Sequence, residues 1–269
     1  MNTADIIIFG GQSNMQGQTE GCGDQTPVAN AYEYRWLSNA YIPLKNPVGE
    51  HILYDGTAGY SSNEKPDKKV EAWLAEHCLG GASQGCSNLV PAFCRAYEQE
   101  TGITTLAVHT AKGSTTIADW IPGSPGFRML VDKAKAAIQK AAEEFAVGKV
   151  FFTWLQGESD ALESNTKAYY KGKLEELMQA LKAELDVEKF GMIRVGLFTR
   201  DAADWEIINA QSEICAENED FLMLTELAVE LIDIPQYVNP KAPGHFSIEG
   251  LNRLGSDAGS ALGRYRRSV

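Results

Sequence analysis

Short, nearly continuous apolar runs alternate along this chain with longer stretches in which apolar positions recur every three or four residues. The short runs, at 5–9, 104–110, 149–155, 192–199 and 221–225, read as strands buried on both faces of a parallel sheet. The longer stretches, at 89–101, 127–146, 167–186, 206–218 and 247–264, read as helices. In 127–146, Leu130, Ala134, Ala137, Ile138 and Ala141 form one apolar stripe, and Gly148 supplies a stop. Strand–helix alternation of this kind predicts an α/β fold, a three-layer α/β/α sandwich around a flavodoxin-like, five-stranded parallel sheet with right-handed crossovers. The segment 19–85 breaks the alternation and is rich in Gly, Asn, Tyr and Pro. It reads as a long loop-rich insertion over the upper sheet edge, within one domain spanning 1–269.

Composition narrows the function. Hydrophobic residues make up 44% and charged residues 22%, the balance of a globular protein with a sizeable core. A net charge of -12 argues against nucleic acid or an anionic membrane surface as partner. Nowhere is there an apolar run of about 18 residues, and the start lacks the positive and apolar regions of a secretion signal. These features predict a cytoplasmic protein, provided no leader has been removed. The oligomeric state is not readable from the sequence. The five cysteines (Cys22, Cys78, Cys86, Cys94, Cys215) include no CxxC pair, so free thiols are expected rather than zinc, with a Cys78–Cys86 bridge left open. No P-loop or dinucleotide fingerprint calls for a cofactor, and none is expected.

Ligands of open parallel sheets bind beyond the carboxyl ends of the strands. Four polar clusters fall there: Gly10 to Met15, Ala111 to Thr115, Gln156 to Asp160, and Pro243 to Ser247. Together they offer a hydroxyl (Ser13), tight-turn glycines, an amide (Gln156), a carboxylate (Glu158) and an imidazole (His245). Acyl transfer needs this set: a serine activated by a base, a group orienting that base, and preorganised donors for the oxyanion. The Ser13 and Gly113 N–H groups and the Gln156 amide are the candidate donors. Ser13 alone would equally suit a helix N-cap, and Glu158 and Gln156 alone would equally suit turn-shaping roles. His109 reads as a core residue. A second serine motif, Gly81-Ala82-Ser83-Gln84-Gly85, matches the G-x-S-x-G elbow, but 70–78 before it reads as a helix, and the elbow needs a strand there.

Three blocks, Gly11-Gln12-Ser13-Asn14-Met15, Trp154-Leu155-Gln156-Gly157-Glu158-Ser159-Asp160 and His245-Phe246-Ser247-Ile248-Glu249-Gly250, resemble the sialate O-acetylesterase and acetylxylan esterase group of SGNH hydrolases, carbohydrate esterase family 6. The resemblance implies Ser13 as nucleophile, His245 as base, and Ser13, Gly113 and Gln156 around the oxyanion. Gln12, Asn14, Ser114 and Trp120 would then face the substrate, an acetylated carbohydrate such as acetylxylan or an O-acetyl sialate. Two positions depart from the pattern. Ala242 stands where many SGNH enzymes carry an Asp three residues before the His, so the orienting acid falls to Glu158, with Asp119, Asp160 and Asp201 as alternatives, or the pair works as a dyad. Lys112, before Gly113 and Ser114, stands where the family carries the first Gly of a Gly-Gly-Ser or Gly-Gly-Thr. The missing Asp also leaves room for an inactive carbohydrate-binding protein on the same scaffold.

Overall fold

The computed structural model describes residues 2–50, 52–54, 60–62 and 87–269. The strands are β1 (Thr3–Gly11), β2 (Ala31–Arg35), β3 (Ala40–Pro43), β4 (Ile52–Tyr54), β5 (Tyr60–Ser62), β6 (Thr104–His109), β7 (Ala146–Leu155), β8 (Lys189–Ile193) and β9 (Phe221–Thr225). The helices are α1 (Ser13–Gln16), α2 (Val90–Thr101), α3 (Pro125–Glu144), α4 (Glu158–Leu162), α5 (Lys167–Leu185), α6 (Ala202–Glu217), α7 (Ala228–Leu231) and α8 (Ile248–Arg267). Among the described residues the main sheet has seven strands in the order β3-β2-β6-β1-β7-β8-β9. All its pairings are parallel except β2–β3, and β4 and β5 form a separate ribbon. Strand β1 is buried from Ala4 onward because helices cover both faces. Helices α2 and α8 pack together, while α3, α5 and α6 form the other group. A row of glycines lets α8 approach α2 closely: a Cβ at Gly255 or Gly259 would lie 2.4 Å from Leu89 O or 2.2 Å from Phe93 O.

The sheet therefore has seven strands rather than five, and the extra pair comes from the stretch read as a loop-rich insertion. Sequence patterning misses β2 because its buried positions include Glu33, which is fully buried. Glu33 pairs with Arg35 at 2.9 Å and accepts from Gly49 N at 2.7 Å. Burial pushes its carboxyl up to about 7, against the pull of Arg35. The next residues are held by Glu50, which accepts from Trp36 N (2.8 Å), Leu37 N (3.0 Å) and Lys133 Nζ (2.7 Å). Lys133 is 0% and Glu50 4% exposed, so Lys133→Ala strands a buried carboxylate. Urea unfolding of that variant is expected to show a loss of about 3–5 kcal/mol. A loss under about 1 kcal/mol would mean that the pair is dispensable.

Two boundaries also differ from the sequence reading. Helix α3 ends at Glu144 and Gly148 lies inside β7, where it makes room for a carboxylate rather than stopping a helix. A Cβ at Gly148 would sit 2.2 Å from Asp5 Oδ1, and that oxygen accepts from Lys149 N at 2.7 Å. Strand β8 ends at Ile193, Arg194 N still donates to Thr225 O of β9 at 3.0 Å, and 195–199 leaves the sheet. Its N–H groups go to α6 side chains instead: Val195 N to Gln211 Oε1 (2.9 Å), and Phe198 N and Thr199 N to the Asp204 carboxylate (both 3.0 Å). This detour carries Phe198 to the functional site.

Candidate active site

The register pairs Phe9 with His109 and Gly11 with Leu155, so β1, β6 and β7 end on one edge at the centre of the sheet. Gly11 has φ 147°, and a Cβ there would lie 2.1 Å from Leu155 O. A glycine is required for β1 to turn into α1 while staying against β7. Ser13 opens α1 and is 5% exposed. His245 precedes α8, which Ser247 caps by accepting from Gly250 N at 3.1 Å. The two meet: His245 Nε2 lies 2.9 Å from Ser13 Oγ. Burial lowers the His245 pKa, with the Pro243 and Ala242 carbonyls pulling the other way, so the neutral imidazole is favoured. The Phe198 ring stands edge-on to the imidazole, centroids 5.9 Å apart.

Among the described residues no carboxylate bonds His245 Nδ1, which is buried without a partner among them, as is Glu158 Oε2. Glu158 instead accepts from Asn14 Nδ2 at 2.7 Å through Oε1. The same Nδ2 reaches Gly244 O at 3.3 Å, and Asn14 Oδ1 accepts from Phe246 N at 3.1 Å. Glu158 thus reaches His245 only through Asn14, which holds the residues on either side of the imidazole. Burial raises the Glu158 pKa, partly offset by Asn14 and by the Glu158 and Gly157 N–H groups. The alternative acids are committed elsewhere. Asp119 closes a capping box with Thr116, Asp201 caps α6 through Ala203 N, and Asp160 takes Ile117 N, Gln156 Nε2 and Asn165 Nδ2.

The other expected site residues divide sharply. Gly113 comes to the serine: a Cβ built on it would lie 3.6 Å from Ser13 Cβ. Gln156 does not offer a free donor, which corrects the expected oxyanion role. Its Nε2 bonds Asp160 Oδ2 (2.6 Å), Thr115 O (2.9 Å) and Gln12 Oε1 (3.2 Å), and its Oε1 accepts from Tyr170 Oη at 3.0 Å. Gln12 and Asn14 are buried, and their side chains bond within the protein. Gln12 Oε1 also accepts from Ser159 N at 3.1 Å, so the two side chains hold the loop after β7. Trp120 is fully buried, bonded to Thr115 Oγ1 at 3.0 Å and packed against Trp154. It lies beneath a cleft of about 190 Å³ bordered by Lys112, Thr115, Asp119, Pro125 and Gly126. Ser114 is exposed on the same loop, with φ 59°. His109 is buried, and its Nε2 donates to Met15 O at 3.1 Å, which ties α1 to β6. Burial pushes its pKa down to about 4. Cys78, Cys86 and the 81–85 serine motif lie outside the described residues.

An imidazole, a serine hydroxyl and a neighbouring glycine at the sheet's central edge suit ester hydrolysis. Matching bears on this directly: a family model described as "Carbohydrate esterase, sialic acid-specific acetylesterase" covers residues 3–262. The chain belongs to that carbohydrate esterase family. It is a hydrolase of the carbohydrate acetylesterase class. The esterase is 24% identical over 193 residues to a "Probable carbohydrate esterase" of Arabidopsis thaliana, covering 71% of this chain and 68% of that protein. Among solved structures it is similar to NanS, with a TM-score of 0.67 at 13% identity over 99% and 98% of the two chains. It is also similar to a lipase/acylhydrolase from Enterococcus faecalis, with a TM-score of 0.52 at 14% identity over 98% and 97%. Its fold is the α/β/α sandwich of the SGNH hydrolases. Among the described residues of the esterase, no group of three or more His, Cys, Asp or Glu is placed to hold a metal, and no helix is long and apolar enough to cross a membrane.

Sequence reasoning missed Phe198 in this esterase because 192–199 reads as one strand. It also missed Gln16, whose Oε1 accepts from Gly113 N at 2.7 Å. The one signal available was the recurrence of amides, Gln12, Gln16 and Gln18, around Ser13.

Proposed function

We propose that this esterase removes O-acetyl groups from carbohydrates through an acyl-enzyme on Ser13. The observation that carries the reading is the 2.9 Å contact of Ser13 Oγ with His245 Nε2. Neutral His245 takes the hydroxyl proton as Ser13 attacks the acetyl carbonyl. The tetrahedral intermediate expels the sugar alkoxide, which takes that proton from the imidazolium. Water, deprotonated by His245, then attacks the acetyl ester and releases acetate and free Ser13. The Ser13 N–H, at the start of α1 where no helix carbonyl reaches it, and the Gly113 N–H stabilise the oxyanion. Among the described residues no carboxylate reaches Nδ1 of His245, and the pair acts as a dyad whose imidazole is oriented by Asn14 and Phe198. A catalytically inactive sugar-binding role is disfavoured by the same contact, since a binding module has no use for a serine and an imidazole in hydrogen-bond reach.

Within the class, a neutral acetylated oligosaccharide such as an acetylated xylo-oligosaccharide is the main reading. Lys112 on the cleft beside Gly113 favours a second one, an O-acetylated acidic sugar such as a sialate, although Asp119 lines the same cleft. An acetate-release screen over acetylated xylo-oligosaccharides, acetylated hexoses and O-acetyl sialic acids, with Ser13→Ala as blank, tests both. Turnover confined to the sialates would reverse the order, and no turnover on any acetyl ester would end the proposal.

The burial of His245 sets the pH response. A base with a lowered pKa stays neutral to lower pH, so kcat/KM should rise with pH, with a midpoint below the ordinary histidine value of about 6.5, and then level off through neutrality. A midpoint above 7, measured with p-nitrophenyl acetate, contradicts a buried neutral base.

A further inference from the structure

The Gly113 N–H that should face the oxyanion already has a partner, Gln16 Oε1. Around it the space is crowded by amides. A Cβ built on Gly113 would lie 2.8 Å from Gln18 Nε2, 2.9 Å from Gln16 Oε1 and 3.6 Å from Ser13 Cβ. Two glutamine side chains and the nucleophile therefore converge on one point. Gln18 is 4% exposed, and its Oε1 has no hydrogen-bond partner among the described residues. Its backbone is fixed: Gln18 N donates to Ser13 O at 3.2 Å, and Gln18 O accepts from Asn239 Nδ2 at 2.9 Å. The side-chain Oε1 is an acceptor, which an incoming oxyanion cannot satisfy; its lack of a partner means that no bond to Oε1 from those residues holds the side-chain amide in one orientation.

Gln156 cannot supply a side-chain donor without breaking its bonds to Asp160, Thr115 and Gln12. Gln18 can turn its amide about the side chain without giving up any bond that its Oε1 makes. Gln16 is half-buried, so its side chain can swing outward to water once displaced.

We infer that Gln16 and Gln18 form an amide gate on the acyl site. Gln16 Oε1 holds the place of the substrate's acyl oxygen on the Gly113 N–H. When substrate displaces it, Gln18 Nε2 gives the acyl oxygen a side-chain hydrogen bond beside those of the backbone N–H groups. No covalent bond of either glutamine changes. The inference rests on the serine-esterase reading above and assigns to Gln18 the donor role expected of Gln156.

The two glutamines move kinetics in opposite directions, which makes the test decisive. Gln16→Ala removes a competitor for the Gly113 N–H, so kcat/KM for p-nitrophenyl acetate should rise about fivefold, the factor expected for one net hydrogen bond. A gain of this kind cannot arise from misfolding. Gln18→Met, of similar volume, should lower kcat about 100-fold with little change in KM, as for loss of an oxyanion donor. Gln18→Glu should fall at least as far, because its charge opposes the oxyanion. An unchanged or lowered kcat/KM in Gln16→Ala overturns the gate, as does a Gln18→Met protein within twofold of wild type or one altered in KM alone. Wild-type turnover that vanishes in Ser13→Ala, beside neutral glutamine variants, would sink this inference and leave the esterase reading standing. Absence of wild-type turnover would sink both.

Discussion

Ser13→Ala is expected to lower kcat for p-nitrophenyl acetate by about 10⁴-fold or more, with His245→Ala close behind. The size follows from the chemistry removed. Without Oγ no acyl-enzyme can form, and without the imidazole the hydroxyl keeps its proton at neutral pH, where it is a poor nucleophile. Because the two residues act on one proton and one bond, the double variant should be no worse than either single variant. Residual activity would come from the oxyanion donors that remain, the N–H groups of Gly113 and of residue 13 among them. Stability should change little, since Ser13 Oγ contributes one hydrogen bond, about 1 kcal/mol. Thermal melting of both variants near the wild-type value, together with the lost turnover, ties the loss to the site. Ser83→Ala serves as the contrast and should retain activity. Turnover that survives Ser13→Ala but disappears in Ser83→Ala would transfer the nucleophile to the other serine motif.

The central edge of the sheet was legible in the sequence because a parallel sheet sends every strand's carboxyl end to the same side. Ser13 and His245, 232 residues apart, could be brought together on that rule and the motif blocks. The direction each polar side chain faces was not legible. Gln12, Asn14 and Gln156 are the residue types that bind sugars, and in this fold they bind one another and the loop after β7. A satisfied amide and a free one look the same in a sequence. The missed strand β2 has a related cause: patterning treats a charged residue as exposed, whereas Glu33 is neutralised in place by Arg35 and Gly49 N–H. The early end of β8 depends on Gln211 and Asp204, side chains from a later helix that take the N–H groups a sheet partner would have used.

Asn14→Leu should produce the second large effect, a fall of about 10³-fold in kcat with little change in KM. The Asn14 amide bonds Glu158 Oε1, Gly244 O and Phe246 N, so it fixes the backbone on both sides of His245. Losing it lets the imidazole drift, and misplacement by about 1 Å can alone cost about 100-fold. It also leaves Glu158 buried with its main side-chain partner gone, a cost of several kcal/mol in stability unless the carboxyl takes up a proton. Glu158→Gln separates position from charge, because Oε1 remains available to Asn14. Since burial raises the Glu158 pKa, ionisation of this carboxyl opposes folding as pH rises through the ordinary carboxylate range. Glu158→Gln should therefore be at least as stable as wild type at neutral pH and unchanged in acid, where both forms are neutral. If Glu158 acts through Asn14, kcat stays within about tenfold and the acid limb of the pH profile does not move. If its charge instead steadied the His245 imidazolium, the acid limb would shift to lower pH and kcat would drop toward the Ser13→Ala level, making Glu158 the third member of a triad.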